Sequence, residues 1–138
     1  MMLRAWKRGL TTAAEGIGAV PYVLVFGGNG FVGSSVCRAA LASGVGVVSV
    51  NRSGRPRTQA EWAEKVRWVE GSALDPSTYE AVLEGALGAV SCVGTFGSNS
   101  KMYEVCGTAN IRAIEACRQA SVPRFAFLSA HNFGFPKV

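Results

Sequence analysis

A short run of glycines constrains the fold of this chain more than any other feature. The sequence Phe26-Gly-Gly-Asn-Gly-Phe-Val-Gly33 follows an apolar, β-branched run, Tyr22–Phe26, and opens a stretch with helical spacing, Phe31–Ser43. A strand that passes through such a loop into a helix is typical of dinucleotide-binding βαβ units. One glycine makes the turn, another lets a diphosphate approach the backbone, and the last lets the helix pack on the strand. A dinucleotide site is therefore predicted; the alternative is a glycine-rich turn with a structural role only.

The motif itself has two interpretations. It fits GxGxxG through Gly28, Gly30 and Gly33, and it fits GxxGxxG through Gly27, Gly30 and Gly33. Both place free backbone N–H groups and the positive end of the helix dipole beside the phosphates.

The remainder of the chain alternates between strand and helix patterns. This alternation predicts right-handed βαβ crossovers and a doubly wound parallel α/β sheet of the Rossmann type, with about five strands in the order 3-2-1-4-5. Asp75 and Pro76 form a strong helix start, because Asp caps free N–H groups and Pro suits the first helical position. After the first strand and helix, the predicted strands are Val45–Val50, Val66–Val69, Ala86–Val93 and Arg124–Ser129, and the predicted helices are 58–65, Asp75 to near Gly85, and Lys101–Ala120.

Composition narrows the class of protein. The 138 residues are 49% hydrophobic and 17% charged, which supports one packed globular domain. No stretch approaches the roughly 20 apolar residues of a membrane-spanning helix, although peripheral membrane association stays open. Four cysteines without a CxxC pair and a single histidine argue against a metal site and for reduced thiols. The net charge of +5 comes from clusters rather than from a basic face with interleaved aromatics, so no nucleic-acid partner is expected.

One basic cluster lies in the first twenty residues. This segment carries Arg4, Lys7 and Arg8, hydroxyl residues, and no acidic residue before Glu15. That composition predicts a transit peptide over residues 1–20, assigned to the mitochondrion, with a plastid or a frayed tail as alternatives.

The second basic cluster follows the second strand. A site that prefers NAD usually has Asp or Glu there, about 20 residues after the glycines, whereas this chain has Asn51 followed by Arg52 and Ser53. Without a carboxylate to repel a 2′-phosphate, and with Arg52 and Ser53 able to bind it, NADP(H) is favoured over NAD(H). Arg55 and Arg57 either assist or belong to a solvated loop.

Three segments, Phe26–Gly33, Val48–Gly54 and Arg124–Ala130, resemble the extended and atypical short-chain dehydrogenase/reductase superfamily. The likeness covers about residues 21–133 and is greatest to mitochondrial members linked to coenzyme Q (ubiquinone) biosynthesis and to a complex I accessory subunit. It implies that residues 21–138 are the NAD(P)-binding, N-terminal half of such a protein, without the C-terminal substrate-binding part.

The resemblance also implies roles for individual residues. The diphosphate would be held by the glycine loop, Gly27, Gly28, Asn29, Gly30, Phe31, Val32 and Gly33. The adenosine ribose would lie against Asn51, Arg52 and Ser53 after the second strand, and the adenine beside Ser72 and Ala73 after the third. The nicotinamide ribose would lie along Val93 and Gly94 after the fourth strand, and Ser129, after the fifth, would be the active-site serine. Asn110, in the family's helix motif, either bonds inward or lies at the surface.

The chain departs from the family in its chemistry. Catalytic members carry Tyr-x-x-x-Lys after the serine, and these 138 residues contain no such motif; Phe133 and Lys137 have the spacing but phenylalanine carries no proton to donate. His131 is a further acid/base candidate without an identifiable partner. Three hypotheses remain: an NADP(H)-dependent reductase-like enzyme, a non-catalytic nucleotide-binding subunit of a mitochondrial complex, and an interaction module without cofactor. The fifth strand is expected to form an open, apolar edge.

Overall fold

Five parallel strands form the centre of the structure, a computed structural model that describes residues 20–129. They pair in the order β3-β2-β1-β4-β5, which confirms the predicted topology. The strands are β1 (Tyr22–Phe26), β2 (Gly46–Asn51), β3 (Arg67–Glu70), β4 (Gly88–Ser91) and β5 (Phe125–Phe127). The helices are α1 (Phe31–Ala42), α2 (Glu61–Glu64), α3 (Asn99–Met102) and α4 (Ala109–Gln119), with a π-helical segment, Tyr103–Thr108, between the last two.

Strand β1 lies at the point where the strand order reverses. It pairs with β2 on one side and with β4 on the other, so that Val23 is opposite both Val47 and Gly88. The chain leaves β1 toward β2 and later returns to β4, which opens a crevice beyond the carboxyl ends of β1 and β4. Ligands of open α/β sheets bind at such crevices.

The sheet buries apolar side chains on both faces. Leu24 and Phe26 of β1 pack in a core that includes Ala113 and Cys117 of α4. Val25 belongs to a second core, with Cys37 of α1. Since successive strand residues point to opposite faces, helices cover the sheet on both sides, as a doubly wound fold requires.

The helix predicted from Asp75 to near Gly85 is wrong in type. Its start is as expected, because Asp75 Oδ1 accepts the Ser77 N–H at 3.2 Å and Pro76 begins the first turn. Two 3₁₀ turns, Pro76–Thr78 and Glu80–Val82, replace the α-helix. Between them Tyr79 adopts φ −137° and ψ 3°, with its ring buried edge-on against Phe26 at 5.0 Å. Burial of this ring in the core is incompatible with a regular helix across residue 79.

The predicted helix over Lys101–Ala120 is present, but it is interrupted by the π-helical segment. The side chain of Asn110 donates to the Cys106 carbonyl oxygen at 3.0 Å, an oxygen that the Asn110 backbone N–H would otherwise approach in an α-helix. A side chain inserted into the i→i−4 ladder is a recognised cause of such distortions. Asn110 is buried, so its side chain bonds inward rather than lying at the surface.

Within residues 20–129, strand β5 is the outermost strand on its side of the sheet and pairs only with β4. Phe127 is 47% exposed and Leu128 is 46% exposed. No helix within residues 20–129 has the length and apolar character needed to span a membrane. The predicted transit segment, apart from residue 20, together with His131, Phe133 and Lys137, lies outside the described residues.

Candidate functional site

A cleft of about 670 Å³ lies at the carboxyl ends of the central strands. The cleft is lined by residues at the ends of four strands: Gly27 after β1, Asn51 at the end of β2, Ser72 after β3 and Val93 after β4. Three basic side chains, Arg52, Arg57 and Lys101, also line it. No aspartate or glutamate among the described residues does so. A cleft of this size and charge suits a small anionic ligand.

Most of the residues predicted from sequence are brought together in this cleft. They come from four separate loops and are Gly27, Asn29, Gly30, Asn51, Arg52, Ser53, Ser72, Ala73, Val93 and Gly94. Ser129 lies two residues after β5, is exposed, and is not part of the cleft lining.

The remaining predicted loop residues occupy other positions. Phe31 is 93% exposed and Val32 is 39% exposed, so their side chains face solvent at the start of α1. Gly28 and Gly33 are buried in packing against neighbouring backbone and side chains. Only the backbone N–H groups of this first helical turn remain to contribute to the cleft.

The glycines of the loop serve different physical purposes. Gly27 has φ +86°, which L side chains rarely adopt. A Cβ at Gly28 would meet Ser49 Oγ at 2.2 Å, and one at Gly33 would meet the Gly27 carbonyl oxygen at 2.0 Å. These three glycines are therefore required by the fold itself.

Gly30 differs from its neighbours because the fold constrains it less than it constrains Gly27, Gly28 or Gly33. Its φ of −75° and ψ of 170° suit any residue, and a Cβ would meet only the Gly27 carbonyl oxygen, at 3.3 Å. Gly30 is also the N-cap of α1 and offers no capping side chain, so the first N–H groups of a 12-residue helix have no side-chain partner. The missing Cβ and the uncapped N–H groups together leave a cradle for an anion.

The end of β2 presents an unsatisfied acceptor. Asn51 Oδ1 is buried without a hydrogen-bond partner in the described part of the chain, while Asn51 Nδ2 donates to the Arg55 carbonyl oxygen at 3.2 Å. Buried polar atoms are almost always paired, so an orphaned acceptor on a cleft-lining residue indicates a donor supplied by a ligand or by water. A ribose hydroxyl is such a donor.

Asn29 ties the glycine loop to the basic loop after β2. Its Nδ2 donates to the Arg55 carbonyl oxygen at 2.9 Å, and its Oδ1 accepts the Arg57 N–H at 3.0 Å. Ser53 Oγ donates to the same Arg55 carbonyl at 3.0 Å. These bonds place the Arg57 side chain at the cleft, whereas Arg55 does not line it.

A buried polar network fixes the loop after β4. Asn110 Oδ1 accepts the Ser91 hydroxyl, and Asn110 Nδ2 donates to the Val93 carbonyl oxygen at 3.3 Å. Farther along, the Cys106 thiol accepts the Thr95 N–H at 3.3 Å. Asn110 of α4 thus holds Val93, and with it Gly94, at the cleft.

Sequence reasoning missed several lining residues. Lys101, Val105 and Ala109 reach the cleft from the long helix, and Gly71 and Cys92 from strand ends. The Ser98 cap, whose Oγ accepts the Lys101 N–H at 3.3 Å, marks the start of that helix beside the cleft and is a signal that the sequence contains.

The buried thiols are predicted to be unreactive in the folded protein. Burial raises the pKa of Cys37 to about 12 and that of Cys117 to about 11, so both remain protonated at pH 8. We expect iodoacetamide to modify half-exposed Cys106 first and to spare Cys37 and Cys117 until urea unfolds the chain, as measured by peptide mass spectrometry. Rapid labelling of Cys37 in the native state would contradict this packing.

The same burial predicts a pH dependence of stability. The Cys37 thiol ionises near pH 9 in the unfolded chain but only near pH 12 in the folded protein, so the free energy of unfolding should fall as the pH rises from about 9 toward 12.

Comparison with known proteins adds a family and a fold. A family model described as NAD(P)H-binding matches residues 27–137. An uncharacterized chloroplastic protein of Arabidopsis thaliana is 42% identical over 114 residues, which are 83% of this chain and 38% of that protein. MIOREX complex component 2 of Saccharomyces cerevisiae is 36% identical over 85 residues, or 58% of this chain and 31% of that protein. The chain therefore spans well under half the length of these relatives.

The fold also occurs in a solved structure. The crystal structure of UDP-glucose 4-epimerase from Bifidobacterium longum, in complex with NAD⁺ and UDP, superimposes with a TM-score of 0.67 at 20% identity, over 79% of this chain and 37% of that one. At this identity the comparison concerns the fold alone, and it agrees with the Rossmann topology predicted from the sequence.

Proposed function

This chain belongs to the NAD(P)H-binding family, and we propose that its cleft binds NADP(H) as the dinucleotide domain of a short-chain dehydrogenase/reductase type of protein. The observation that carries the proposal is Gly30. Its backbone conformation suits any residue, and an added Cβ would have one close neighbour, the Gly27 carbonyl oxygen at 3.3 Å, so a ligand that approaches the backbone closely best explains the glycine.

The residues present fit a dinucleotide along the whole cleft. The uncapped start of α1 would donate to the diphosphate, and Asn51 Oδ1 would accept from a ribose hydroxyl of the adenosine. Ser72 and Ala73 would lie beside the adenine. Val93 and Gly94, fixed by the Asn110 network, would lie along the nicotinamide ribose. When bound, the nicotinamide supplies or accepts a hydride.

NADP(H) is proposed over NAD(H) from the charge after β2. Arg52 and Arg57 line the cleft there, and no carboxylate lines it among the described residues. A guanidinium can bind a phosphate through two parallel N–H···O bonds, whereas a carboxylate at the end of β2 would repel a 2′-phosphate.

The role of the whole protein is proposed in two forms. The first is a reductase-like enzyme linked to quinone biosynthesis or the respiratory chain, and the alternative is a non-catalytic nucleotide-binding subunit of a mitochondrial complex. The yeast relative's name as a complex component supports the alternative. Location in an organelle is supported by the N-terminal composition and by the chloroplastic relative.

Calorimetric titration of the full chain with NADPH and with NADH tests the proposal. We expect both to bind, NADPH more tightly, and a saturating cofactor at a hundred times its Kd to add about 2.7 kcal/mol to the free energy of unfolding. If neither NADPH nor NADH bound at millimolar concentration, the proposed function would be overturned.

The replacement Arg52→Ala is predicted to weaken NADPH more than NADH. A hydrogen bond to a charged group contributes about 1.5–3 kcal/mol, so the NADPH affinity should fall roughly 10- to 100-fold while the NADH affinity changes little. Arg118→Ala is the charge-matched control, since Arg118 pairs with Glu115 at the far end of α4. Equal losses for both cofactors would place the 2′-phosphate away from Arg52.

A further inference from the structure

The loop after β3 is joined to helix α4 by a single side-chain hydrogen bond. Arg112, at an exposed position of α4, donates from Nη1 to the Leu74 carbonyl oxygen at 2.6 Å, across 38 residues of sequence. Leu74 lines the cleft together with Ser72 and Ala73, which the proposed function places beside the adenine. Arg112 itself does not line the cleft, so its effect on a ligand is exerted through the backbone of this loop.

The other hydrogen bonds of the loop are local. The Ser72 N–H donates to Thr78 Oγ1 at 3.0 Å, and the Ser72 carbonyl oxygen accepts the Asp75 N–H at 2.8 Å. In the described part of the chain, the Arg112 bond is the only hydrogen bond that joins residues 72–75 to a distant part of the sequence. Local bonds fix the shape of a turn, whereas a bond to another element helps to fix where the turn lies.

Two successive carbonyl groups of the loop are held by side chains. Tyr79, whose ring packs against Phe26, donates its hydroxyl to the Ala73 carbonyl oxygen at 3.3 Å, and Arg112 donates to the next carbonyl along the chain. Burial raises the pKa of Tyr79 to about 12, so the hydroxyl keeps the hydrogen that it donates. Because each peptide group is planar, these two bonds orient the peptide groups on both sides of Leu74.

Helix α4 donates hydrogen bonds to both ends of the cleft. Asn110 Nδ2 donates to the Val93 carbonyl oxygen at 3.3 Å, and two residues farther along the helix Arg112 donates to the Leu74 carbonyl oxygen. Both acceptors belong to residues that line the cleft. One helix therefore positions the nicotinamide end and the adenine end, with a separate side chain for each.

The charge of Arg112 is directed to this one carbonyl. Within residues 20–129 no carboxylate forms an ion pair with Arg112. A hydrogen bond from a charged donor is shorter and stronger than one from a neutral donor. Since the Arg112 side chain is exposed, its removal should change the free energy of unfolding little.

We propose that Arg112 is a positioning residue for the adenine end of the bound dinucleotide. It orders the Leu74 backbone before the ligand arrives, so that Ser72 and Ala73 are already in place beside the adenine. Ordering a loop in advance lowers the entropic cost of binding. The inference rests on the function proposed above, because it concerns how the same cleft holds the same ligand.

Calorimetric titration of the full chain with NADH and with ADP-ribose tests this role. ADP-ribose keeps the adenine end of NADH and lacks the nicotinamide. Arg112→Ala should weaken both ligands by the same factor, about three- to tenfold, because the ordering of one loop at the adenine end is lost. Arg112→Lys keeps a charged donor and should recover most of that affinity. Arg118→Ala removes an arginine that pairs with Glu115 on the same helix, and this control should bind both ligands like the wild type.

Two measurements without ligand separate positioning from a general structural role. Urea unfolding should give nearly the same free energy for Arg112→Ala and the wild type. Amide hydrogen exchange, followed by mass spectrometry, should be faster in Arg112→Ala over residues 71–75 and unchanged over residues 91–95, which Asn110 holds.

Equal affinities of Arg112→Ala and the wild type for both ligands would overturn the inference and leave the proposed function intact. A loss for NADH alone would also overturn it, since Arg112 would then act at the nicotinamide end. So would a loss that Arg112→Lys does not recover, or exchange over residues 71–75 that matches the wild type. If the wild type bound neither ligand, the proposed function and the inference would both be overturned.

Discussion

Gly30→Val is expected to abolish dinucleotide binding while leaving the fold intact. Gly30 has an extended backbone that suits valine, and a Cβ there meets only the Gly27 carbonyl oxygen, at 3.3 Å. The branched side chain would occupy the place of the diphosphate and cover the N–H groups at the start of α1. Loss of two hydrogen bonds to a charged group, each about 1.5–3 kcal/mol, corresponds to an affinity loss of about a hundredfold or more.

Calorimetry with NADPH and urea unfolding measure the two halves of this prediction. The free energy of unfolding should stay within about 1 kcal/mol of the wild type, as for most surface substitutions. Ala39→Val is the matched control, because it places the same side chain on an exposed position of α1 that does not line the cleft. Undiminished NADPH affinity in Gly30→Val would mean that the diphosphate binds elsewhere.

Gly33→Ala is expected to have the opposite outcome, with the fold lost rather than the ligand. The added Cβ would lie 2.0 Å from the Gly27 carbonyl oxygen, 2.8 Å from the Gly27 carbonyl carbon and 3.0 Å from the Gly28 Cα. These are backbone atoms, so α1 and the glycine loop would have to separate. A clash of this kind belongs to the exceptional class above about 4 kcal/mol, a large part of the roughly 5–15 kcal/mol that keeps a domain folded.

Circular dichroism and urea unfolding of the variant test this expectation. Gly107→Ala is the control, because Gly107 also lies in a helical segment but has no atom within 4 Å of its added Cβ. There the substitution should stabilise by about 0.5–1 kcal/mol, the usual advantage of alanine over glycine in a helix. If Gly33→Ala were as stable as the wild type, the close packing of α1 on β1 would be wrong.

The sheet was predictable because its signals are local. The apolar runs of β1 and β2, such as Tyr22–Phe26, mark buried strands whatever surrounds them. Because these strands alternate with helices along the chain, only a few sheet topologies are possible. The ten cleft-lining residues predicted from sequence lie at strand ends or in the glycine loop, so the same local signals located them. Where a distant partner intervened, prediction failed: Tyr79, drawn into the core against Phe26, breaks the helix that Asp75 and Pro76 begin.

Asn110 illustrates a choice that the sequence left open. Its position at the edge of an apolar stripe allowed either an inward bond or a surface location. Only the approach of the helix to β4 brings it to Ser91 and Val93, which lie 19 and 17 residues away in the sequence. The π-helical segment has the same origin and could not be predicted from helical periodicity.

The sequence by itself determined the strand order, the glycine loop and the absence of an acidic residue at Asn51. Tertiary structure decided what each of these does. It packs Gly33 against the Gly27 backbone and leaves Gly30 with a single contact, and it directs Arg57 to the cleft through a bond to Asn29, 28 residues away in the sequence. The reason is physical: periodicity and turn preference act between neighbours along the chain, whereas clash, burial and side-chain hydrogen bonds depend on which distant backbone comes close.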